Sequence, residues 1–179
     1  LAQNYSRRGE SVLLIDADLR RPAFRAASTR QGLTKLLTNA EPIRGHILET
    51  QFENLWLLPC GPTPPNPADL LSTGRFNEIV KEAAEHYDRI VIDGPPVLGL
   101  ADASLLAVVA GSVMMVVESG RTKTRLARDA IDRIQASGAH IVGAVLTKSA
   151  DESSQYGYRL YQYGYKQVDD KRNEIVMIS

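Results

Sequence analysis

The chain has 179 residues, of which 44% are hydrophobic and 23% are charged, a balance that suits one globular domain with a full core. Lys plus Arg equals Asp plus Glu at 21 each, so the overall charge gives no support to nucleic-acid binding. A single cysteine excludes an internal disulfide, three scattered histidines lack metal-ligand spacing, and no apolar run reaches the roughly 18 residues of a membrane span.

The first half of the chain alternates between helical and strand patterns. Residues 1–10 indicate the last turns of a helix that ends at Gly9. Continuous apolar runs at 11–17 and 55–60 predict strands that are buried on both faces. After a proline-rich connection, Asn66 is placed to cap a short helix that has Pro67 at its first position.

The second half repeats this alternation. An apolar stripe at helical spacing predicts a helix over 74–87, and the apolar run at 89–94 predicts the next strand. Two further strands, also expected to be buried on both faces, are predicted at 112–118 and 140–146, with a helix over 122–138 between them. Strands separated by helices indicate βαβ units, and therefore an α/β fold with a doubly wound, mainly parallel sheet and flanking helices.

The C-terminal region differs in composition from the rest of the chain. Five of its seven tyrosines fall within ten residues, and the segment after them is polar and mixed in charge. We therefore divide the chain into a core over 1–150 and a flexible, tyrosine-rich tail over 151–179. The clustered tyrosines are Tyr156, Tyr158, Tyr161, Tyr163 and Tyr165.

Aspartates follow two of the predicted strands. Asp16 and Asp18 end the first strand, and Asp93 ends the strand at 89–94. An apolar strand that closes on an aspartate is the Walker B pattern, and ligands of open parallel sheets bind beyond the carboxyl ends of the strands. The three carboxylates therefore predict a Mg²⁺ site, with Mg²⁺ and phosphate oxygens offsetting their mutual repulsion. Alternatively, each aspartate caps a helix or turn, which is easier to accept for one of them than for all.

The phosphate-binding loop that should accompany such a Mg²⁺ site is absent from the sequence. Nucleotide binding in such folds uses a G-x-x-x-x-G-K-[ST] phosphate loop, and no such stretch occurs. The loop would precede the helix that ends at Gly9, so we expect that the chain is cut just downstream of it. We also expect that the chain by itself binds ATP weakly and is inactive.

Four stretches together resemble one family. The stretches are VLLIDADLRRP (12–22), LLPCGPTPPNPADLL (57–71), IVIDGPPVLGLADA (90–103) and YGYRLYQYGY (156–165). They resemble, in order, the second Walker motif, the proline-rich connection, the Walker B segment and the tyrosine cluster of the bacterial protein-tyrosine kinases of polysaccharide synthesis and export. The resemblance implies a P-loop NTPase-like fold, ATP and Mg²⁺ as cofactors, and autophosphorylation of tail tyrosines on a neighbouring protomer.

The resemblance also implies a cellular setting. It places the parent protein at the cytoplasmic face of the bacterial inner membrane, coupled to a transmembrane polysaccharide co-polymerase domain in the same or a separate chain. A homo-oligomeric ring and a cognate tyrosine phosphatase complete the expected partners, and no nucleic acid is expected.

Residue roles follow from the resemblance with some alternatives left open. Asp16 and Asp18 are expected to serve the attacking hydroxyl and Mg²⁺, with Asp16 favoured near the hydroxyl, and Asp93 to support Mg²⁺ through water. Arg20 either neutralises phosphate charge, faces a neighbouring protomer or is simply solvated. Asp102 is a candidate for nucleotide binding, although capping of the following helix is the favoured interpretation.

Two other functions remain open at this point. One is an ATPase of the partitioning or division-site type, which the tyrosine cluster disfavours because such proteins need no clustered acceptors. The other is a non-catalytic scaffold built on a degraded ATPase fold. The tyrosines themselves fit a phosphoacceptor tail better than an amphipathic strand or a stacking platform for nucleic acid, because their spacing keeps no strict period.

Overall fold

The computed structural model describes residues 1–24 and 31–149. Its helices are α1 (Ala2–Ser6), α2 (Leu33–Thr38), α3 (Pro67–Ser72), α4 (Arg75–Ala84), α5 (Asp102–Ala110) and α6 (Thr124–Ala136), with a 3-10 turn at Ile43–His46. Its strands are β1 (Val12–Asp16), β2 (Leu48–Glu49), β3 (Leu55–Leu58), β4 (Arg89–Asp93), β5 (Ser112–Glu118) and β6 (His140–Thr147). The five predicted strands are confirmed, whereas α2, the 3-10 turn and β2 were not predicted.

The strands form two sheets. One has the order β2-β3-β1-β4, in which β1 runs parallel to both neighbours and only the two-residue β2 is antiparallel. The other is the parallel pair β5-β6, whose register shifts between Val113 and Met114. The mainly parallel α/β architecture is confirmed, but the described strands do not join in one sheet, since β4 and β5 are not paired.

Strand β1 lies at the centre of the core, and all five of its residues are buried. Leu13 and Ile15 belong to the larger apolar cluster, whereas Val12 and Leu14 belong to a second one. Because neighbouring residues of a strand point to opposite faces, both faces of this sheet are covered. The prediction from continuous hydrophobicity is therefore confirmed for β1.

The pair β5-β6 has only one covered face among the described residues. Met115 packs there with small and apolar side chains of α5 and α6, in the third apolar cluster. Met114, Val116, Val142 and Val145 are instead 42–68% exposed. The prediction that these two strands are buried on both faces is wrong for the part of the chain that the structure describes.

A close backbone contact fixes the start of α2 against the segment that follows β3. A Cβ atom built on Gly32 would lie 2.5 Å from the backbone nitrogen of Gly61, so only glycine fits. The amides of Leu33 and Thr34 donate to the carbonyl oxygens of Pro59 and Cys60, at 2.8 and 2.9 Å. This contact ties α2 to the carboxyl end of β3.

The proline-rich connection ends as predicted, with one difference. Pro67 occupies the first turn of α3, and Asn66 is the N-cap residue. The Asn66 side chain, however, makes no hydrogen bond to the helix backbone and donates to the Asp69 carboxylate instead. The predicted cap is therefore right in position and wrong in its side-chain contact.

Candidate functional site

Asp16 and Asp93 end two neighbouring parallel strands. They are partners in the register of β1 and β4, and strands so paired lie about 4.8 Å apart. The backbone amide of Ala17 donates to the carbonyl oxygen of Asp93 at 2.8 Å, which extends the ladder past the last paired residues. Two of the predicted site residues thus meet at the carboxyl edge of the sheet, as expected for a parallel sheet.

The Asp16 carboxylate is completely buried and holds the loop that follows it. Oδ1 accepts the amide N–H of Asp18 at 3.3 Å, and Oδ2 accepts that of Phe24 at 2.9 Å. Burial raises the pKa of Asp16 most, the charge of Asp93 raises it further, and the backbone hydrogen bonds lower it in part. Asp16 therefore organises residues 17–24 around its own side chain.

Asp18 is half-buried, and only one of its oxygens accepts hydrogen bonds from the residues that the structure describes. Oδ1 accepts the amide N–H groups of Arg20 and Arg21, at 3.1 and 2.9 Å, so Asp18 closes a turn on itself. Among the described residues, Oδ2 has no hydrogen-bond partner. The buried side chain of Leu19, next to it, anchors the turn in the larger apolar cluster. This geometry leaves one Asp18 oxygen available to a ligand.

Asp93 is exposed, and its carboxylate accepts no hydrogen bond from the residues that the structure describes. The protein packed around the carboxyl raises its pKa, and the negative charge of Asp18 raises it further. A carboxylate with raised pKa and no partner binds a cation or a proton readily, because either one removes the unfavourable charge.

Arg20 and Asp102 are joined by a two-pronged ion pair. Arg20 Nε lies 2.8 Å from Asp102 Oδ2, and Nη2 lies 3.2 Å from Oδ1. Asp102 begins α5, but Ala101 is the N-cap residue and no side chain caps the helix. The favoured interpretation of Asp102 as a capping residue is therefore wrong, because both carboxylate oxygens are bonded to Arg20. The interpretation of Arg20 as a simply solvated residue is wrong for the same reason.

The oxygen-rich donor set suits Mg²⁺, which prefers hard oxygen ligands and keeps several of its waters. Within residues 1–24 and 31–149, however, no group of three or more His, Cys, Asp or Glu side chains is arranged to hold a metal ion directly. Asp16 is also enclosed. The arrangement therefore fits a hydrated Mg²⁺ held through water better than an ion bound directly by all three carboxylates.

Cys60 lies near this edge and was not singled out as a site neighbour from the sequence. It is completely buried, and its pKa is raised to about 11, mainly by burial and further by the charges of Asp16 and Asp18. A thiol with that pKa is not a nucleophile at neutral pH. No local sequence signal links Cys60 to residues more than forty positions earlier.

All five candidate acceptor tyrosines, from Tyr156 to Tyr165, lie outside the described residues. No helix in the described part of the chain is both long enough and apolar enough to cross a membrane.

Comparison with known proteins decides the family. The AAA domain family matches residues 1–136. Tyrosine-protein kinase YwqD of Bacillus subtilis is 36% identical over 170 residues, which cover 93% of this chain and 70% of that protein. The chain belongs to the bacterial tyrosine-protein kinase family. The crystal structure of the chimerical protein CapA2B2 superposes on this kinase-family chain with a TM-score of 0.76 at 32% identity, covering 82% of this chain and 66% of the chimera.

A second group of solved structures shares the fold only. The cell division ATPase MinD of Pyrococcus furiosus has a TM-score of 0.69 at 21% identity, covering 88% of this chain and 70% of that protein. The similarity confirms the P-loop NTPase-like fold of this kinase-family chain. MinD is less similar to this chain in sequence than the tyrosine kinases are, with 21% identity against 36% for YwqD.

Proposed function

We propose that this chain is the core of an ATP-dependent protein-tyrosine kinase that phosphorylates tail tyrosines of a neighbouring copy of itself. One observation carries the proposal: Asp16 and Asp93 meet in register at the carboxyl edge of the sheet, with Asp18 beside them, in a chain of the tyrosine-kinase family. Phosphoryl transfer depends on positioning and charge stabilisation more than on covalent chemistry, so few side chains are needed.

The three carboxylates have different tasks in this proposal. Asp18 and Asp93 would hold hydrated Mg²⁺ through water, by oxygens that accept no hydrogen bond from the described residues, and the cation would neutralise charge on the phosphoryl group of ATP. The sequence favours Asp16 beside the attacking hydroxyl, but its complete burial argues for Asp18 in that place. Because Mg²⁺ would be held through water, the free oxygen of Asp18 can also accept a hydrogen bond from the tyrosine hydroxyl and take its proton as the phosphoryl group is transferred. Asp16 fixes the loop that carries Asp18.

We propose that part of the phosphate-binding machinery is supplied by a segment other than residues 1–179. No phosphate loop occurs in the chain, and the described strands β4 and β5 are not paired with each other. A parallel strand followed by a phosphate loop between them would complete a single sheet. Calorimetry of this chain with ATP and Mg²⁺ tests the idea: we expect weak or no binding, and micromolar affinity would contradict it.

The phosphoacceptors are the five tail tyrosines, and the transfer runs in trans. Only seven residues separate Lys148 from Tyr156, a span of roughly 25 Å when extended. That reach does not by itself exclude transfer within one protomer, but in-line attack makes a neighbour's site easier to enter, because a tail that meets its own site must first fold back. Each phosphate adds roughly −1.5 to −2 charges, enough to loosen a docked tail by repulsion.

A mixing experiment tests both the activity and its direction. One variant of the complete gene product carries Asp18→Asn and Asp93→Asn but keeps the tyrosines, and the other is active but has the five tyrosines changed to Phe. With ATP and Mg²⁺, mass spectrometry should detect phosphotyrosine in the tail of the first variant only when the second is present. If wild-type protein becomes phosphorylated and the mixture does not, the trans mechanism is wrong.

The division-site type of ATPase is the competing function, since MinD shares the fold. Release of inorganic phosphate without any phosphotyrosine in the wild-type protein would favour that alternative. Absence of both products would favour a non-catalytic scaffold.

The cellular setting is also proposed. The gene product works as a homo-oligomeric ring at the cytoplasmic face of the inner membrane, together with a transmembrane polysaccharide co-polymerase. A tyrosine phosphatase removes the phosphate groups again. Through this cycle the protein regulates exopolysaccharide or capsule synthesis and export. Co-purification from membranes with such a co-polymerase, and a change in polymer length in the inactive variant, are the expected results. A purely soluble gene product and unaltered polymer would contradict this setting.

A further inference from the structure

The ion pair between Arg20 and Asp102 joins parts of the chain that are 82 residues apart. Asp102 is 1% exposed, and its two oxygens face the planar fork of the Arg20 guanidinium. Arg20 keeps 37% of its side chain exposed, so the pair lies at the surface end of a buried carboxylate. A buried charge needs such a partner, and a two-pronged contact fixes the partner's orientation as well as its position.

The same arginine holds the Asp18 carboxylate through its backbone. The amide N–H of Arg20 donates to Asp18 Oδ1 at 3.1 Å, while its side chain is bonded to Asp102. Asp102 in turn begins α5, directly after the loop that leads away from Asp93. The ion pair therefore connects the loop that carries Asp18 with the end of the loop that follows Asp93.

We propose that Asp102 is a positioning residue that acts through Arg20 to set the Asp18 carboxylate relative to Asp93. Asp102 itself does not contact nucleotide or Mg²⁺, because its oxygens are occupied and buried. The effect on phosphoryl transfer rests on the proposed kinase function. The effect on the loop does not, since it follows from the contacts alone.

Three variants of the complete gene product separate positioning from general stability. Asp102→Asn keeps the shape but removes the charge and one acceptor. The double variant Arg20→Met with Asp102→Asn removes both charges, so no buried carboxylate is left unpaired. The matched control is Glu10→Gln, because Glu10 Oε2 and Arg89 Nε form a similar pair, 2.6 Å apart, at the amino ends of β1 and β4.

Amide hydrogen exchange without nucleotide is the first measurement. In Asp102→Asn, residues 17–24 should exchange about tenfold faster than in the wild type, while β1 and α5 keep their protection. The loop should exchange at the same rate in the double variant as in Asp102→Asn, because both variants lose the ion pair between Arg20 and Asp102. Glu10→Gln should leave the exchange rate of the loop unchanged. Unchanged exchange in the loop of both Asp102 variants, or equal loss of protection throughout the chain, would overturn the proposal.

The second measurement is the Mg²⁺ concentration that gives half-maximal phosphotyrosine formation at saturating ATP. Loss of a residue that orients a metal-holding group typically costs about 10–100-fold in metal affinity, so a rise of about tenfold is expected in Asp102→Asn and none in Glu10→Gln. A fall in maximal rate with the same Mg²⁺ requirement would overturn positioning. If the wild type forms no phosphotyrosine, the kinase function fails, and hydrogen exchange still decides the role of Asp102.

Discussion

Asp16 and Asp93 are register partners at the ends of β1 and β4, yet one carboxylate is completely buried and the other belongs to an exposed residue. The buried one is bonded to two backbone amides of its own loop, and the exposed one has no hydrogen-bond partner among the described residues. Two like charges in unlike surroundings are suited to separate tasks, one structural and one facing a ligand.

Loss of either ligand-facing carboxylate should stop the chemistry and spare the fold. We expect Asp18→Asn or Asp93→Asn in the complete gene product to lower phosphotyrosine formation by about 10²-fold or more, because each removes a charge aimed at the reacting phosphate and its cation. Circular dichroism and the melting temperature should show an intact fold. Asp132→Asn, on the exposed face of α6, is the matched control; wild-type rates in both site variants would contradict the assigned roles.

The contribution of Asp93 to stability should fall as pH rises through the acidic range, because the pKa of Asp93 is raised in the folded protein. The folded state holds this proton to higher pH than the unfolded chain, which loses it near pH 4, so ionisation favours unfolding above about pH 4. Asp93→Asn should therefore raise the free energy of unfolding at pH 7, by less than about 1 kcal/mol because the residue is exposed.

Urea unfolding without Mg²⁺, at about pH 3 and at pH 7, measures that difference. Near pH 3 the wild type and Asp93→Asn should coincide, since the carboxyl is then protonated in both folded and unfolded states. A variant less stable than the wild type at pH 7, with Asp132→Asn unchanged, would show that the Asp93 charge stabilises the fold.

The contact between Gly32 and Gly61 should tolerate no side chain. A methyl group at Gly32 meets backbone atoms of Gly61 at 2.5 Å, and its φ of +123° strains any other residue. Gly32→Ala is expected to cost about 2–5 kcal/mol of unfolding free energy, from overpacking and backbone strain together. Gly138→Ala is the control for φ alone, since φ is +82° with no atom within 4 Å, and it should cost about 1–2 kcal/mol. Equal costs for the two would show that the backbone contact relaxes.

The turn that carries Asp18 should depend on Leu19. Leu19 is 1% exposed and packs in the larger apolar cluster, so Leu19→Ala should cost about 2–5 kcal/mol in urea unfolding. Leu98→Ala, at a residue that is 37% exposed, should change stability by no more than about 0.5 kcal/mol. Retention of full stability in Leu19→Ala would mean that the turn is held by its hydrogen bonds alone.

The sequence predicts those parts of the fold that local patterns determine. The apolar stripes of α4 and α6 and the aspartate-terminated strands β1 and β4 are all found where predicted. Helix α2 was missed because it is only six residues long and begins at a glycine in an extended, positive-φ conformation. That conformation is set by Gly61, far away in the chain, and no local signal reports it.

Contacts within the candidate site were less predictable. Spacing places Asp16 and Asp18 at the end of one strand, but only strand register shows that Asp93 is paired with Asp16. The Arg20–Asp102 pair has no sequence signal, because 82 residues separate its members. Capping of α5 by Asp102 was predicted from position alone, and the arginine is the stronger partner for a buried carboxylate.

The burial of Cys60 gives this protein an intrinsic probe of its own opening. At neutral pH a thiol with a pKa of about 11 is almost wholly protonated, and its complete enclosure also keeps reagents out. A thiol-specific reagent can therefore modify this single cysteine only when the part of the core beside Asp16 and Asp18 opens transiently. The labelling rate would measure how often that happens, with and without Mg-ATP, in a protein that needs no introduced label.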